Sequence, residues 1–189
     1  MINEIELFKN AAQKRDLCAT FNDMWSTINT HEDFVRFSLN PKSISYVALS
    51  TYEGWGLSTD FIEKEFSKYI NNPNVSLDNG NLFCKANEKY TVFSTENNIM
   101  DSTGVFIVPK TKCPIFHVNN KSNVEINCEG MNIVKIYLYD ISSVNINIKL
   151  NCKVFVMSLS EHSNIKCNIP DLMKVRYGDV KHYAYGQNY

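Results

Sequence analysis

The sequence predicts an α+β protein: a helical N-terminal region over residues 1–72, followed by a short C-terminal β-solenoid within 73–189. Three observations carry that expectation. In the first third, apolar residues recur three and four positions apart, the period of a helix face. Beyond Pro73 the alternation becomes twofold, the period of a strand. From Cys113 onward the strand pattern itself repeats about every twenty residues. An antiparallel β-meander after the helices shares the alternation but does not require that registry.

The helical elements follow in order. Ile2 to Lys14 places apolar residues at 2, 5, 8, 11 and 12, and Leu17, Phe21, Met24, Trp25 and Ile28 continue the stripe. Thr30 followed by Asp33 reads as a capping box before Phe34, Val35, Phe37 and Leu39, and Asn40-Pro41 ends that helix. Ser43 to Glu53 reads as a short helix closed by Gly54-Trp55-Gly56. Ser58 is an N-cap for a last helix over 59–70, stopped by Asn71-Asn72-Pro73. Each helix has one apolar stripe and must pack against something. Asp60, Glu63 and Glu65 on the last helix oppose phosphate, which argues against a helix-turn-helix reader.

The repeat aligns residues 113–132, 133–152 and 153–172. Pro114, Val134 and Val154 share a column, as do Phe116, Ile136 and Val156. Val124, Val144 and Ile165 follow in the second strand of each unit. A weaker copy occupies 91–112 through Val105–Val108, and Val175-Arg176-Tyr177 begins a terminal one. Two strands per twenty-residue unit describe stacked solenoid coils. In the second strand Val124-Ile126-Cys128, Val144-Ile146-Ile148 and Ile165-Cys167-Ile169 point inward. Asn127, Asn147 and Asn168 stack outward as an exposed amide ladder.

The first strand differs. Its outward columns are Ile115, Lys135 and Phe155; His117, Tyr137 and Met157; then Asn119, Tyr139 and Leu159. They are too apolar and aromatic to face water, so Phe155, His117, Tyr137, Met157, Tyr139 and Leu159 form a candidate packing or partner face. The helical region is one cover for it; a protein partner or a second copy is the other.

Composition narrows the function classes. The net charge is −1, with 24 asparagines against seven glycines and five prolines. That balance excludes a strongly basic nucleic-acid or membrane-surface binder, so nucleic acid is not the expected partner. No apolar run reaches the roughly 18 residues of a membrane span, and the N-terminus lacks a signal peptide's layout; the expectation is a cytoplasmic protein without membrane contact. The six cysteines contain no CxxC pair, and the four histidines are scattered. Buried free thiols are expected rather than disulfides or a metal site. Carboxylates of the repeat (Glu125, Asp140, Glu161) fall at non-stacking positions, and no cysteine or serine carries a nucleophile motif. The sequence therefore predicts no catalytic, cofactor or metal residues and a non-enzymatic chain.

Several stretches carry a resemblance: Leu17-Cys18, Phe21 and Trp25; Trp55-Gly56-Leu57-Ser58 with Phe61-Ile62, Phe66 and Tyr69-Ile70-Asn71; Thr111-Lys112-Cys113-Pro114; and Tyr137 through Val144. These resemble a group of small uncharacterised proteins of gut anaerobic bacteria and their phages or prophages. The resemblance implies a mobile-element origin and a role in phage assembly or host interaction, in the host cytoplasm or as a virion component. It implies no reaction and transfers no functional residue. The expected function is a non-enzymatic, phage-associated interaction or structural module. A host-modulating or regulatory nucleic-acid-binding protein is the alternative, and an enzyme is a third, less favoured reading.

Overall fold

The structure, a computed structural model, describes residues 2–15, 23–40, 43–77 and 79–178. Helix α1 spans Ile2–Gln13. Part of the stripe that follows it, with Leu17, Cys18 and Phe21, lies outside the described residues. Its end, Trp25, sits in a 3-10 turn (Trp25–Thr27) and packs edge-on against Phe8 at 5.1 Å between ring centroids. Helix α2 spans His31–Leu39 and has the predicted reciprocal cap. Asp33 N–H donates to Thr30 Oγ1 at 3.1 Å, and Thr30 N–H donates to the Asp33 carboxyl at 2.9 Å. Helix α3 spans Ile44–Tyr52 and is left through Gly54 at φ 72°, where the left-handed backbone favours glycine.

Helix α4 spans Thr59–Glu65, with Ser58 accepting from Phe61 N–H as its cap. It ends well before Ile70, where the sequence stripe places its end. The reason is a competing pairing: Ile70 forms a parallel bridge with Leu82, so the residues before Asn71 already approach the β-region. Asn71 then turns at φ 55°.

Eleven strands follow: β1 Gly80–Cys84, β2 Lys89–Thr91, β3 Glu96–Met100, β4 Val105–Val108, β5 Ile115–Asn119, β6 Asn123–Cys128, β7 Ile133–Leu138, β8 Ser143–Ile148, β9 Lys153–Ser158, β10 Asn164–Cys167 and β11 Met173–Tyr177. The odd-numbered strands form one six-stranded sheet in sequence order, and the even-numbered strands form a five-stranded sheet opposite it. The strand pairings are all parallel, which sets the meander aside. The chain is a β-solenoid of about five coils with roughly twenty residues per turn, preceded by helices.

The registry matches the predicted columns: Phe116 pairs with Ile136 and Ile136 with Val156, while Val124 pairs with Val144 and Val144 with Ile165. Two coils precede the three aligned repeats, and the second, with β4 at Val105–Val108, is the weaker copy predicted over 91–112. Their strands β1 and β3 carry Asn81 and Asn97 in the column that later holds Phe116 and Ile136, so the apolar alternation is broken there. Asn97 Nδ2 donates to the Ser94, Thr95 and Ile115 carbonyls, tying the corner to the next coil.

The corner after each of the first four odd strands repeats too. Lys85, Asp101, Asn120 and Asp140 stack in register, each at positive φ between 46° and 56°. Asn and Asp enter this left-handed region at lower cost than other side chains, which suits Asp101, Asn120 and Asp140 to these corners. The serines that follow form a ladder: Ala86 N–H donates to Ser102 Oγ at 3.0 Å, and Ser102 N–H to Ser122 Oγ at 3.1 Å.

Two apolar cores flank the odd-strand sheet. One fills the solenoid with Phe83, Phe106, Phe116, Ile126, Ile136 and their neighbours, all fully buried. The other lies between the helices and the outer face of that sheet and joins Phe8, Trp25, Phe34 and Phe66 to Leu82, Met100, Tyr139 and Leu159. The last coil closes less completely than the sequence predicts. Strand β10 stops at Cys167, Ile169 is exposed at the start of a 3-10 turn (Pro170–Leu172), and Ile165 and Cys167 are only half-buried.

Candidate functional site

The outer face of the odd-strand sheet is the candidate site, and burial divides it. Every residue of β1 and β3 is buried, on both faces of the sheet. Strands β7 and β9 instead alternate between exposed or half-buried outer residues and buried inner ones. Helix α2 lies against β1 and β3, α3 against β5, and α4 against β1. The helices therefore cover the first three strands and leave the last three open over much of their outer face.

The covered half holds a polar network. His117 on β5 stands between Glu96 on β3 and Tyr139, just past β7. His117 Nε2 is 3.3 Å from Glu96 Oε2, and Nδ1 is 2.9 Å from Tyr139 Oη. Burial pushes the His117 imidazole below its ordinary value, while the Glu96 carboxyl opposes that shift. A neutral ring has one N–H; donated to Glu96, it leaves Nδ1 to accept the Tyr139 hydroxyl, and both contacts are satisfied. His117 also stacks on Tyr137, centroids 5.0 Å apart. Beside it Asn119 Nδ2 donates to Asn98 Oδ1 at 2.6 Å, while Asn98 Nδ2 and Asn119 Oδ1 find no partner among the described residues.

A carboxyl, an imidazole and a hydroxyl in series is the order of groups that relays a proton. Here the three side chains belong to residues 7%, 3% and 0% exposed, so a substrate reaches them only after the helices lift. Within the packed fold, the arrangement joins three successive coils.

The open half has a different chemistry. On β7, β9 and β11 the outward residues are Ile133, Lys135 and Tyr137; Lys153, Phe155 and Met157; Lys174 and Arg176. Phe155 is 39% exposed and lies in register between Lys135 on one side and Lys174 on the other. Lys135, Lys153, Lys174 and Arg176 are exposed and make no ion pair with another described residue. No acidic side chain shares these outward positions.

The predicted face is therefore two surfaces. His117, Tyr139 and Leu159 are buried against the helical core; Tyr137 and Met157 are half-buried at its margin; Phe155 stands in the open half. Sequence reasoning missed Glu96, which lies in the weaker copy at 91–112, ahead of the aligned repeats. It also missed Lys153, Lys174 and Arg176 as a group, although the strand alternation already placed them outward.

The amide ladder is shorter than predicted. Asn147 Nδ2 donates to Asn127 Oδ1 at 3.0 Å, but Asn168 turns to the backbone of Ile148. Its Oδ1 accepts from Ile148 N–H at 2.8 Å and its Nδ2 donates to Ile148 O at 3.0 Å, so the amide pairs as a strand residue would. Asn71 does the same for Cys84 at the other end of the solenoid, at 2.9 and 2.7 Å.

Among the thiols, Cys84, Cys128 and Cys152 are buried, Cys167 is half-buried and Cys113 is exposed. Desolvation pushes the Cys84 thiol up to about 12, away from thiolate chemistry. No group of three or more metal-binding side chains converges among the described residues. Nor is any helix among them long and apolar enough to cross a membrane. The acidic side of α4 faces the solenoid: Lys85 Nζ reaches the Glu63 carboxyl at 2.7 Å and also pairs with Asp60.

No family model, curated protein or solved structure matches the chain.

Proposed function

We propose that this chain is a non-enzymatic interaction or structural module whose working surface is the open half of the odd-strand sheet. The observation that carries the proposal is the change of burial along that sheet, from strands covered on both faces to strands with an apolar and cationic outer face. The helices satisfy their own stripes on the first three strands. Phe155 and the surrounding cations are left for contact with another molecule, with Tyr137 and Met157 half-buried at the margin of the helical core.

The phage association belongs to the same proposal and rests on the resemblance of the Tyr137–Val144 stretch and the other segments quoted above. It places the chain in a bacterial host cell or a virion. Adjacent capsid, tail or defence genes support that association; a neighbourhood of housekeeping genes overturns it.

The test of the surface uses immobilised wild type and a Phe155→Asp variant with an unchanged thermal melt. Both are exposed to the same bacterial extract, with light scattering run in parallel to read self-association. A component or oligomer that depends on Phe155 is the expected result. Identical retention and identical mass for both proteins overturn the assignment of this face.

A further inference from the structure

The overall charge of −1 conceals a local gathering of cations that the fold creates. Lys135, Lys153, Lys174 and Arg176 come from three consecutive strands, yet parallel stacking gathers them on one face around Phe155. Neighbouring strands are about 4.8 Å apart, so Lys135 and Lys174 flank the ring at roughly 10 Å from each other. Glu125 and Glu129 lie on the other sheet's side of the solenoid, the latter bound to Lys149. The described outward residues of β7, β9 and β11 include no carboxylate, amide or aliphatic hydroxyl. Recognition there works through positive charge and through the apolar faces of Phe155 and its neighbours.

We infer that this face binds single-stranded nucleic acid, with Lys135, Lys153, Lys174 and Arg176 tracking the phosphates and a base stacked on Phe155. This rests on the reading of the open half as the interaction surface and names its partner. The pairing of cations with an exposed ring is the reason for the choice. A single strand supplies an anion and an unpaired planar base at every step, whereas an acidic protein segment supplies the charge without the plane. A duplex hides its base faces and offers Phe155 nothing to stack on. The polar outward side chains are donors with no carboxylate or amide among them, and cationic donors tracking phosphates carry little sequence preference.

The experiment is fluorescence anisotropy with fluorescein-labelled 20-nucleotide oligothymidylate and oligouridylate, a duplex of equal length, and a polyglutamate peptide. Wild type binds the single strands at low salt. Four phosphate contacts give a log–log salt slope of roughly −3, at about 0.7 per contact. Phe155→Ala weakens binding by roughly 5- to 150-fold, the range of one lost stacking contact. Lys174→Gln and Lys135→Gln each lower the slope by roughly 0.7. Lys166→Gln, on the opposite sheet, leaves binding unchanged. The substituted side chains are exposed or line an open face, and thermal melts verify that each variant is folded.

Absence of single-strand binding at low salt overturns the inference. So does binding that Phe155→Ala and Lys174→Gln leave intact, or equal affinity for duplex and single strand. Preferential, Phe155-dependent binding of polyglutamate also overturns it, but that result keeps the interaction surface and assigns it to an acidic protein. The surface assignment fails separately, in the comparison of wild type with Phe155→Asp.

Discussion

Tyr139 Oη lies 2.9 Å from His117 Nδ1, joining two successive coils beneath the helical layer. Both side chains belong to the outward set of their coils, His117 on β5 and Tyr139 just past β7, and both are buried. The contact makes the covered half of the sheet a structural joint. Tyr139→Phe removes the hydroxyl and leaves a buried ring nitrogen without its donor, at a cost of about 1–3 kcal/mol. Urea denaturation measures it, and the oligonucleotide and extract assays are expected to show no change.

The same joint makes stability depend on pH. Burial holds His117 below its ordinary value of 6.5, so the unfolded chain takes up a proton at a pH where the folded chain does not. The stabilisation is complete above about pH 6.5 and is lost progressively as the pH falls from there through the folded-state value. Denaturation midpoints between pH 8 and pH 5 fall on the acid side in the wild type. His117→Gln, which cannot titrate, has a shallower decline. An equal decline in both proteins would place the acid sensitivity elsewhere.

The asparagines that close the solenoid edges matter more than those that decorate its face. Asn71→Ala removes two bonds to Cys84 and forces alanine to φ 55°, costing about 2–3 kcal/mol. Asn147→Ala loses one half-buried rung and costs less than about 1 kcal/mol. Thermal or urea midpoints of the two variants order them. A larger loss at Asn147 would mean that the ladder, not the clasp, holds the edges.

Coil stacking has a tight point at Gly130. A Cβ there would stand 2.4 Å from Lys110 Cα in the preceding coil, and backbone does not yield as a side-chain tip does. Gly130→Ala is expected to cost about 1–3 kcal/mol through forced separation of the two corners. Hydrogen exchange would show the loosening around residues 108–112 and 128–132.

Much of this architecture was legible in the residues. The twenty-residue repeat predicted the pairing of Phe116, Ile136 and Val156, and Thr30 with Asp33 predicted the α2 cap. Of the two earliest coils, the second was legible only through Val105–Val108 and the first not at all, because Asn81 and Asn97 occupy inward positions, where their Nδ2 groups donate to backbone carbonyls and their Oδ1 atoms find no partner among the described residues. Those bonds are tertiary and leave no local pattern. Phe155 and Tyr139 belong to equivalent outward sets of their coils, so periodicity could not say that helices reach one and not the other. Phe155 sits on β9, beyond the strands the helices cover, while Tyr139 follows β7 at the end nearer the helical core. The cationic face escaped notice because net charge sums over the whole chain, whereas a partner meets one face.

The division of that outer face is the central claim, and paired lysine substitutions read it most directly by equilibrium denaturation. Phe155→Lys is expected to stay within about 0.5 kcal/mol of wild type, as a change on an open surface does. Tyr139→Lys places an unpaired cation in the helical core and is expected to lose at least about 3 kcal/mol. Comparable losses at the two positions would contradict the account, because Phe155 would then be as covered as Tyr139.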